Sequence, residues 1–341
     1  MSEPLVVVDA DVLGRRRTGD ETYVLNLLRG LAPLAREAGL RIVAVTRHPE
    51  LVPDGIEPVS LRVRGQELRM SLAVPRLLRR LGADLGHFQY ALPLFSRCPS
   101  VVTIHDLSFE HEPALMRRKD SLVFKAVVPR AARKAAKVLT VSERTRRDLR
   151  ELYGVPDERI VVTPNGVDPA FTPGDGLLQG DYVLVVGAVQ ERKNPLAALA
   201  AAEAAGLPLV VAGPRKDEAL ARELERRGAQ VAGYVEQDEL VRLYRGAACL
   251  VQSSRYEGFG LPVLEAMACG TPVVAVPEPA LQEVAGEAAV WAEEHELADG
   301  IRRAVAERER LVAAGLERAR LFSWRETARR TLEVYREALG R

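Results

Sequence analysis

Two glutamates eight residues apart, Glu257 and Glu265, flank a glycine-rich loop and the start of a predicted helix. An apolar run typical of a strand ends at Val251, and the helical pattern that begins after Gly260 ends at Gly270. Carboxylates accept hydrogen bonds from hydroxyl groups, and the N–H groups that open a helix bind anions. The stretch therefore predicts a site for a ligand that carries both phosphate and vicinal hydroxyls, and a nucleotide sugar is such a ligand.

The stretch YEGFGLPVLEAMACGTPVV, which contains both glutamates, resembles the signature of the family-4 glycosyltransferases, retaining enzymes with the two-domain GT-B fold. The resemblance implies sugar transfer from a nucleoside-diphosphate sugar to a hydroxyl acceptor, with neither a metal nor another cofactor. It places Glu257 at the transferred sugar and Glu265 at the ribose. The backbone N–H groups that it assigns to the diphosphate belong to Gly258, Phe259, Gly260 and Leu261. The alternative is that these glycines serve turns and helix caps while the glutamates face solvent.

A second group of candidate residues opens the C-terminal half of the chain. Arg192 and Lys193 stand between a strand that ends before Gly187 and an alanine-rich helix. The resemblance assigns this place to the donor's phosphates, and ordinary surface charges are the alternative. It also places Tyr234 and Val235 near the nucleotide base, although packing between a helix and the sheet competes with that role.

The N-terminal half contributes a histidine and a glycine. His105 follows a predicted strand, where the resemblance places a histidine near the donor sugar; a histidine hydrogen-bonded within a loop is the alternative. Gly19 corresponds to the family's glycine-rich loop, just before a helix predicted to begin near Thr22. The sequence departs from the family here, because Asp20 and Glu21 suit the helix dipole but would repel phosphate. These acids are expected either to face acceptor hydroxyls or to be plain first-turn acids.

Alternation of predicted strands and helices along all 341 residues predicts α/β architecture with mostly parallel sheets. We expect two Rossmann-like, doubly wound domains that face an interdomain cleft. Residues 1–168 form the acceptor-side domain, 169–180 a Pro- and Gly-rich hinge, and 181–322 the nucleotide-sugar domain. By resemblance, a helix over 323–341 packs back on the N-terminal domain, and the site is complete only when the hinge closes. Among the predicted strands is one over residues 59–63.

Charge is balanced overall but unevenly distributed. The net charge of +1 argues against a nucleic-acid binder, yet residues 1–170 carry 27 basic against 21 acidic side chains. Residues 116–150 alone hold twelve Lys or Arg. With the arginines that precede them, this region predicts either a cationic face for an anionic membrane or a solvated basic face. Those arginines are Arg62, Arg64, Arg69, Arg76, Arg79 and Arg80.

The remaining patterns bear on compartment and on metals. The three cysteines show neither paired nor metal-like spacing, the first apolar run is too short for a signal peptide, and no 18-residue apolar window occurs. We therefore expect a cytoplasmic protein, at most peripheral on the inner face of the membrane. Asp9-Ala10-Asp11 looks like a D-x-D metal motif, but it closes the first strand, so we assign it no metal. His87, His105 and His111 likewise show no ligand spacing.

Three rival functions remain to be weighed against sugar transfer. A nucleotide-sugar epimerase or hydrolase would share the GT-B layout, and a non-catalytic nucleotide-sugar binder would share part of the site. The absence of a G-x-G-x-x-G after either leading strand argues against a nicotinamide dehydrogenase. The donor base, the sugar and the acceptor are not determined by these residues.

Overall fold

The structure is a computed structural model that describes residues 3–15, 18–113, 118–174 and 180–340. The chain divides into two compact units: Met1–Gly166 with Trp324–Arg341, and Val167–Ser323. Each unit is built on one parallel β-sheet with helices, so the predicted class, α/β with two Rossmann-like parallel-sheet domains, is confirmed. The predicted hinge over 169–180 lies partly outside the described residues, which exclude 175–179.

The sheet of the first unit has seven parallel strands: β1 (Leu5–Asp9), β2 (Arg41–Thr46), β3 (Glu57–Ser60), β4 (Leu85–Gln89), β5 (Ser100–Ile104), β6 (Lys137–Thr140) and β7 (Ile160–Val162). Their spatial order is β3-β2-β1-β4-β5-β6-β7. β1 is buried along its whole length, as expected of a strand covered on both faces. The strand predicted over 59–63 is present as β3, but its predicted bounds are wrong. It lies at the sheet's edge, and its mostly exposed residues show no apolar pattern that would mark its ends.

Among the described residues, the α-helices of the first unit are α1 (Thr18–Glu37), α2 (Gln66–Leu68), α3 (Val74–Leu81), α4 (Ser108–His111), α5 (Arg118–Lys134), α6 (Glu143–Tyr153) and, near the end of the chain, α14 (Trp324–Ala338). A π-helical turn over 69–73 joins α2 to α3. α1 begins four residues earlier than predicted, so Gly19 lies in its first turn. The α14 helix packs on α1: the Trp324 and Tyr23 ring centroids are 6.1 Å apart.

The second unit has a six-stranded parallel sheet: β8 (Val183–Val186), β9 (Leu209–Ala212), β10 (Gln230–Gly233), β11 (Cys249–Gln252), β12 (Val273–Ala275) and β13 (Val290–Trp291). The spatial order is β10-β9-β8-β11-β12-β13. Its helices are α7 (Pro195–Ala205), α8 (Glu218–Arg226), α9 (Gln237–Gly246), α10 (Leu261–Ala268), α11 (Pro279–Ala285), α12 (Leu297–Ala306) and α13 (Arg308–Ala319). β8 and β11 are neighbours, so the loops that leave them share one edge of the sheet.

The described residues contain neither a membrane-spanning helix nor a disulfide bond. None of their helices is both long enough and apolar enough to cross a membrane. All three cysteines carry free thiols, and Cys249 and Cys269 are buried. Burial raises the pKa of each of these two thiols to about 12, so both are protonated at neutral pH.

Candidate functional site

Two loops of the second unit meet at the carboxyl edge of its sheet. One follows β8 and carries Arg192 and Lys193, and the other follows β11 and carries Glu257. Backbone and side-chain hydrogen bonds join them: the Arg255 N–H donates to the Arg192 carbonyl at 3.0 Å, and the Ser253 hydroxyl donates to the Lys193 carbonyl at 3.1 Å. The two predicted groups of site residues are therefore parts of one structure.

Glu257 is buried and surrounded by cations and a donor. Lys193 Nζ donates to its Oε1 at 2.5 Å, Gln252 Nε2 donates to the same oxygen at 2.6 Å, and Arg192 Nη1 lies 3.7 Å from Oε2. Burial by itself would raise the pKa of Glu257, but the charges of Lys193 and Arg192 outweigh it and lower the pKa to about 2. The carboxylate is therefore ionised at neutral pH.

Two buried polar atoms beside this ion pair find no hydrogen-bond partner among the described residues: Gln252 Oε1 and Asn194 Nδ2. Asn194 caps α7 from a left-handed backbone conformation, with a φ of 49°. Buried polar groups are nearly always satisfied, and exceptions concentrate where a ligand or water is bound. Their position next to Lys193 and Glu257 favours a polar ligand at this edge of the sheet.

The loop that leads into α10 offers backbone N–H groups to an anion. Gly258, Phe259 and Gly260 are buried, Leu261 is partly buried, and Gly260 holds a φ of 112° that a side chain would strain. A Cβ at Gly260 would also lie 2.7 Å from a Leu281 methyl group. The first N–H groups of a helix have no intrahelical acceptor and carry the positive end of its dipole.

Glu265 lies in the second turn of α10, only 8% exposed, and accepts a hydrogen bond from the Tyr244 hydroxyl at 2.8 Å. Its surroundings differ from those of Glu257, which is held by cations. Burial raises the pKa of Glu265 to about 7, although the Tyr244 hydrogen bond works against the rise. This carboxyl group therefore exchanges its proton near neutral pH.

A pH dependence of stability follows from that pKa. A carboxyl group with a pKa of about 7 when folded and near its ordinary 4.5 when unfolded binds more protons in the native state between these values. The free energy of unfolding therefore falls as pH rises from about 4.5 to 7, by up to about 3 kcal/mol from this group. Glu265→Gln should remove that contribution while its amide carbonyl keeps the Tyr244 hydrogen bond.

The measurement is urea unfolding at pH 4.5 and pH 7, followed by Trp291 fluorescence in a Trp324→Phe background. Glu294→Gln, at an exposed position of the same unit, is the control and should leave the wild-type pH slope unchanged. Equal pH slopes for Glu265→Gln and the wild type would contradict the assignment.

The remaining predicted residues of the second unit lie at different distances from the ion pair along the sheet edge. Gly187 directly follows β8, and a Cβ placed on it would lie 3.5 Å from Lys193 Cε. Tyr234 and Val235 follow β10, which is separated from β8 by β9. The expectation that Tyr234 packs between a helix and the sheet is wrong, because its side chain is 41% exposed, whereas Val235 is partly buried.

His105 lies at the carboxyl end of β5 in the first unit and is 8% exposed. Its Nε2 is 2.8 Å from Gln89 Oε1, and the edge of the Tyr23 ring is packed against it. Burial lowers the pKa of His105, and the charge of Asp20 opposes this, so the imidazole is neutral at pH 7. Gly19 is exposed, and a Cβ there would have no atom of the described residues within 4 Å.

The two acids after Gly19 take different roles. The Asp20 charge acts on His105. Glu21 Oε1 instead accepts a hydrogen bond at 2.6 Å from the Gly14 N–H, which fastens the loop after β1 to α1.

The D-x-D sequence at the end of β1 is part of a buried ion-pair network. Arg69 has no exposed surface and donates two hydrogen bonds to Asp9, at 2.8 and 2.6 Å. Asp11 pairs with Arg15, and Arg47 Nε lies 3.0 Å from its Oδ1. Among the described residues no three His, Cys, Asp or Glu side chains are grouped as metal ligands.

Three residues of the site had no local signal strong enough to single them out. Gln252 ends β11, Tyr244 lies on α9, and Glu278 caps α11 by accepting from the Ala280 and Leu281 N–H groups at 2.8 and 3.2 Å. Burial raises the pKa of Glu278 to about 7, and a hydrogen bond from the Glu257 backbone is among the effects that lower it. The glutamate before a proline in VPEPAL is the one clue, since proline is common at the first helical position.

Comparison with known proteins gives two matches to family models. Residues 17–171 match the model described as Glycosyltransferase Family 4, and residues 177–319 match Glycosyl transferases group 1. O-antigen chain mannosyltransferase B of Escherichia coli is 30% identical over 267 residues, which cover 70% of each chain. D-inositol 3-phosphate glycosyltransferase of Acidothermus cellulolyticus is 34% identical over 280 residues. That match covers 71% of this chain but 62% of the relative, less than two thirds of its length.

Solved structures extend the likeness to both units. Sucrose-phosphate synthase from Thermosynechococcus elongatus has a TM-score of 0.78 at 22% identity, covering 99% of both chains. Anabaena HepE, solved with UDP and glucose, has a TM-score of 0.75 at 15% identity, covering 98% of this chain and all of the other. At these identities the likeness shows the GT-B fold alone. The two family models and the match to the mannosyltransferase show that this chain belongs to the family-4 glycosyltransferases.

Proposed function

We propose that the protein is a retaining glycosyltransferase that works without a divalent metal and moves a sugar from a nucleoside-diphosphate sugar to a hydroxyl acceptor. The observation that carries the proposal is the buried pairing of Lys193 with Glu257 at 2.5 Å, with Arg192 3.7 Å away, beside the start of α10. Cations, an acid and backbone N–H groups are thereby concentrated at one edge of the second unit. A diphosphate-linked sugar carries the groups that pair with all three.

The leaving group explains why cations are needed. As the glycosidic bond stretches, negative charge grows on the outer phosphate of the donor. Cations and N–H groups already in place there stabilise the transition state more than the ground state. Arg192, Lys193 and the N–H groups that open α10 would supply this stabilisation, with no need for a metal.

The acids would hold the hydroxyl groups of the donor. When a diphosphate arrives, Lys193 can turn from Glu257 to a phosphate oxygen, and the freed Glu257 carboxylate can accept hydrogen bonds from the sugar. Glu265 would accept from the ribose hydroxyls. The bond from the sugar to the phosphate oxygen breaks, the bond to the acceptor oxygen forms on the same face, and the departing phosphate takes the acceptor proton.

A transfer assay with a stereochemical readout tests this function. Thermal shift with a panel of nucleotide sugars identifies the donor, because bound ligand raises the melting temperature by mass action. UDP-glucose belongs in the panel because Anabaena HepE was also solved with it, and a mannose donor belongs there because one relative is named a mannosyltransferase. NMR of the product should show the donor's anomeric configuration, and activity should survive a chelator. Inverted product, or activity abolished by the chelator, would overturn the corresponding part of the proposal.

The same assay separates the rival functions. A nucleotide-sugar epimerase would change the configuration of the donor's sugar, and a hydrolase would consume water in place of the acceptor. A non-catalytic binder would show a thermal shift with no product.

Arg192→Ala should weaken binding of the bare nucleoside diphosphate about tenfold or more, because a hydrogen bond between charged groups contributes about 1.5–3 kcal/mol. Isothermal titration with the diphosphate of the identified donor measures this. Arg255→Ala removes the same charge from an exposed position on the neighbouring loop and should change binding less than twofold. Unchanged affinity for Arg192→Ala would identify Arg192 as an ordinary surface charge.

We also propose that the first unit contacts an anionic membrane through an exposed apolar surface with arginines and lysines beside it. The side chains of this apolar surface belong to α2, the π turn, the loop after β4 and α5: Leu68, Leu72, Leu94, Phe95, Leu122 and Val123, which are 43–75% exposed. The Leu94 N–H donates to the Met70 carbonyl, and Arg130 donates to the Leu94 carbonyl, so these segments adjoin. Arg69, expected on the cationic face, is not part of it because it is fully buried.

Vesicle co-sedimentation measures this contact. The double variant Phe95→Ser and Leu122→Ser should lower partitioning onto phosphatidylglycerol vesicles at low salt about tenfold or more, since burying each of these side chains contributes about 1.5–3 kcal/mol. Leu321→Ser, a 66% exposed leucine of the second unit, is the control and should not change partitioning. If the wild-type protein stays in the supernatant at low salt, the membrane proposal fails.

A further inference from the structure

An open cationic pocket of about 370 Å³ in the first unit lies outside the residues proposed to bind the donor. Its lining consists of Arg47 and His48, which follow β2, and of Arg62, Val63 and Arg64, which follow β3. Ligands of doubly wound sheets bind at the carboxyl ends of the strands, and these residues follow the carboxyl ends of β2 and β3. We will call this feature the arginine pocket.

The charges of the arginine pocket are only partly neutralised by the protein. Arg47 Nε is 3.0 Å from the buried Asp11 carboxylate, and His48 Nδ1 is 3.1 Å from Glu50. Arg62 and Arg64 are exposed, and among the described residues neither forms an ion pair or a hydrogen bond with an acid. The charge of Arg62 also acts on Glu50. Arg62 and Arg64 therefore remain without a bonded acid among the described residues, whereas Asp11 holds Arg47.

The shape of the pocket is held by backbone contacts. The Leu61 N–H donates to the Thr46 carbonyl at 2.9 Å, which continues the pairing of β2 with β3 beyond the strand end, and the Thr46 hydroxyl accepts from the His48 N–H at 3.1 Å. A Cβ at Gly14 would lie 2.9 Å from the His48 ring, so the loop after β1 closes one side. These contacts hold the backbone at the ends of β2 and β3, and Arg62 and Arg64 follow two and four residues after the last residue of β3.

We propose that the arginine pocket binds a phosphate group of the acceptor. A guanidinium presents paired N–H donors that match phosphate oxygens, and several guanidinium groups suit a phosphate better than a singly charged carboxylate. That this phosphate belongs to the acceptor rests on the proposed function. The binding of phosphate to the pocket does not depend on it. Three strand spacings separate β2 from β5, so the phosphate would lie about 14 Å along the sheet edge from His105.

The test compares two double variants that remove the same charge. Arg62→Gln with Arg64→Gln alters the pocket, and Arg79→Gln with Arg80→Gln alters exposed arginines of α3 in the same unit. Inorganic phosphate is titrated at constant ionic strength with the nucleoside diphosphate of the identified donor at saturating concentration. The diphosphate occupies Arg192 and Lys193, which are intact in both variants and would otherwise bind phosphate themselves. The pocket variant should weaken phosphate binding at least fivefold, and the α3 variant less than twofold. Equal weakening in both, or no saturable binding to the wild type, overturns the inference.

A second arm identifies the source of the phosphate. Phosphatidylglycerol vesicles, with phosphatidylcholine vesicles as the neutral reference, are offered to the same two variants. If the pocket variant loses vesicle binding more than the α3 variant does, the phosphate is that of a lipid. If the pocket variant binds inorganic phosphate more weakly but binds vesicles as the α3 variant does, the phosphate is that of a soluble acceptor. If the protein binds phosphate in the pocket but transfers no sugar, the phosphate site stands and the proposed function fails. If it transfers sugar and the pocket variant has the wild-type KM for the acceptor, the phosphate site fails and the proposed function stands.

Discussion

Glu257→Gln is expected to lower kcat/KM for sugar transfer about a hundredfold, which corresponds to ~2.7 kcal/mol on the activation barrier. The substitution keeps the side chain's size but removes the charge that accepts hydrogen bonds from the sugar. It also leaves the Lys193 ammonium, 13% exposed, without its counter-ion at 2.5 Å. Steady-state kinetics with the identified donor and acceptor measure the change.

The control for this variant is Glu191→Gln in the neighbouring loop. Glu191 is exposed and lies 3.9 Å from Arg255, so the same loss of charge should change kcat/KM less than twofold. If Glu257→Gln retains activity within about twofold, its contact with the sugar does not contribute to catalysis.

Arg69→Met is expected to lower the free energy of unfolding of the first unit by about 3–5 kcal/mol. Arg69 is fully buried, and its loss leaves Asp9 without the two hydrogen bonds of 2.8 and 2.6 Å that neutralise it. An uncompensated charge inside the protein costs far more than the lost attraction between two solvated charges. Urea unfolding followed by Trp324 fluorescence, in a Trp291→Phe background, reports this unit.

Arg76→Met on α3 is the matched control, because Arg76 is exposed and its replacement should change stability by less than about 0.5 kcal/mol. Arg69→Lys keeps the charge without the paired donors and should fall between the two. A loss below about 1 kcal/mol for Arg69→Met would show that Asp9 is satisfied by other groups.

The fold was predictable because its signals are local. Buried strands such as LVVA of β9 and the LVVV that opens β1 are continuously apolar, and alternation with helices indicates parallel sheets. The predicted bounds were wrong where the residues are exposed and an apolar pattern is therefore absent. β3 is an exposed edge strand, and α1 starts at Thr18 although no apolar residue marks its first turn. The exposed position of Tyr234 was also missed, since an aromatic residue beside a strand is usually packed.

The sequence by itself determined which chemical groups the site contains. Arg192, Lys193, Glu257 and Glu265 are recognisable by type, by spacing and by their places at strand ends and helix starts, all of which are local properties of the chain. Only the tertiary structure decided which groups are partners. Lys193 and Glu257 are separated by 64 residues, and Arg69 and Asp9 by 60. Lys193 and Glu257 meet because the neighbouring strands β8 and β11 bring their loops to one sheet edge. There the charges of Lys193 and Arg192 lower the pKa of Glu257 to about 2, whereas burial raises the pKa of Glu265 to about 7.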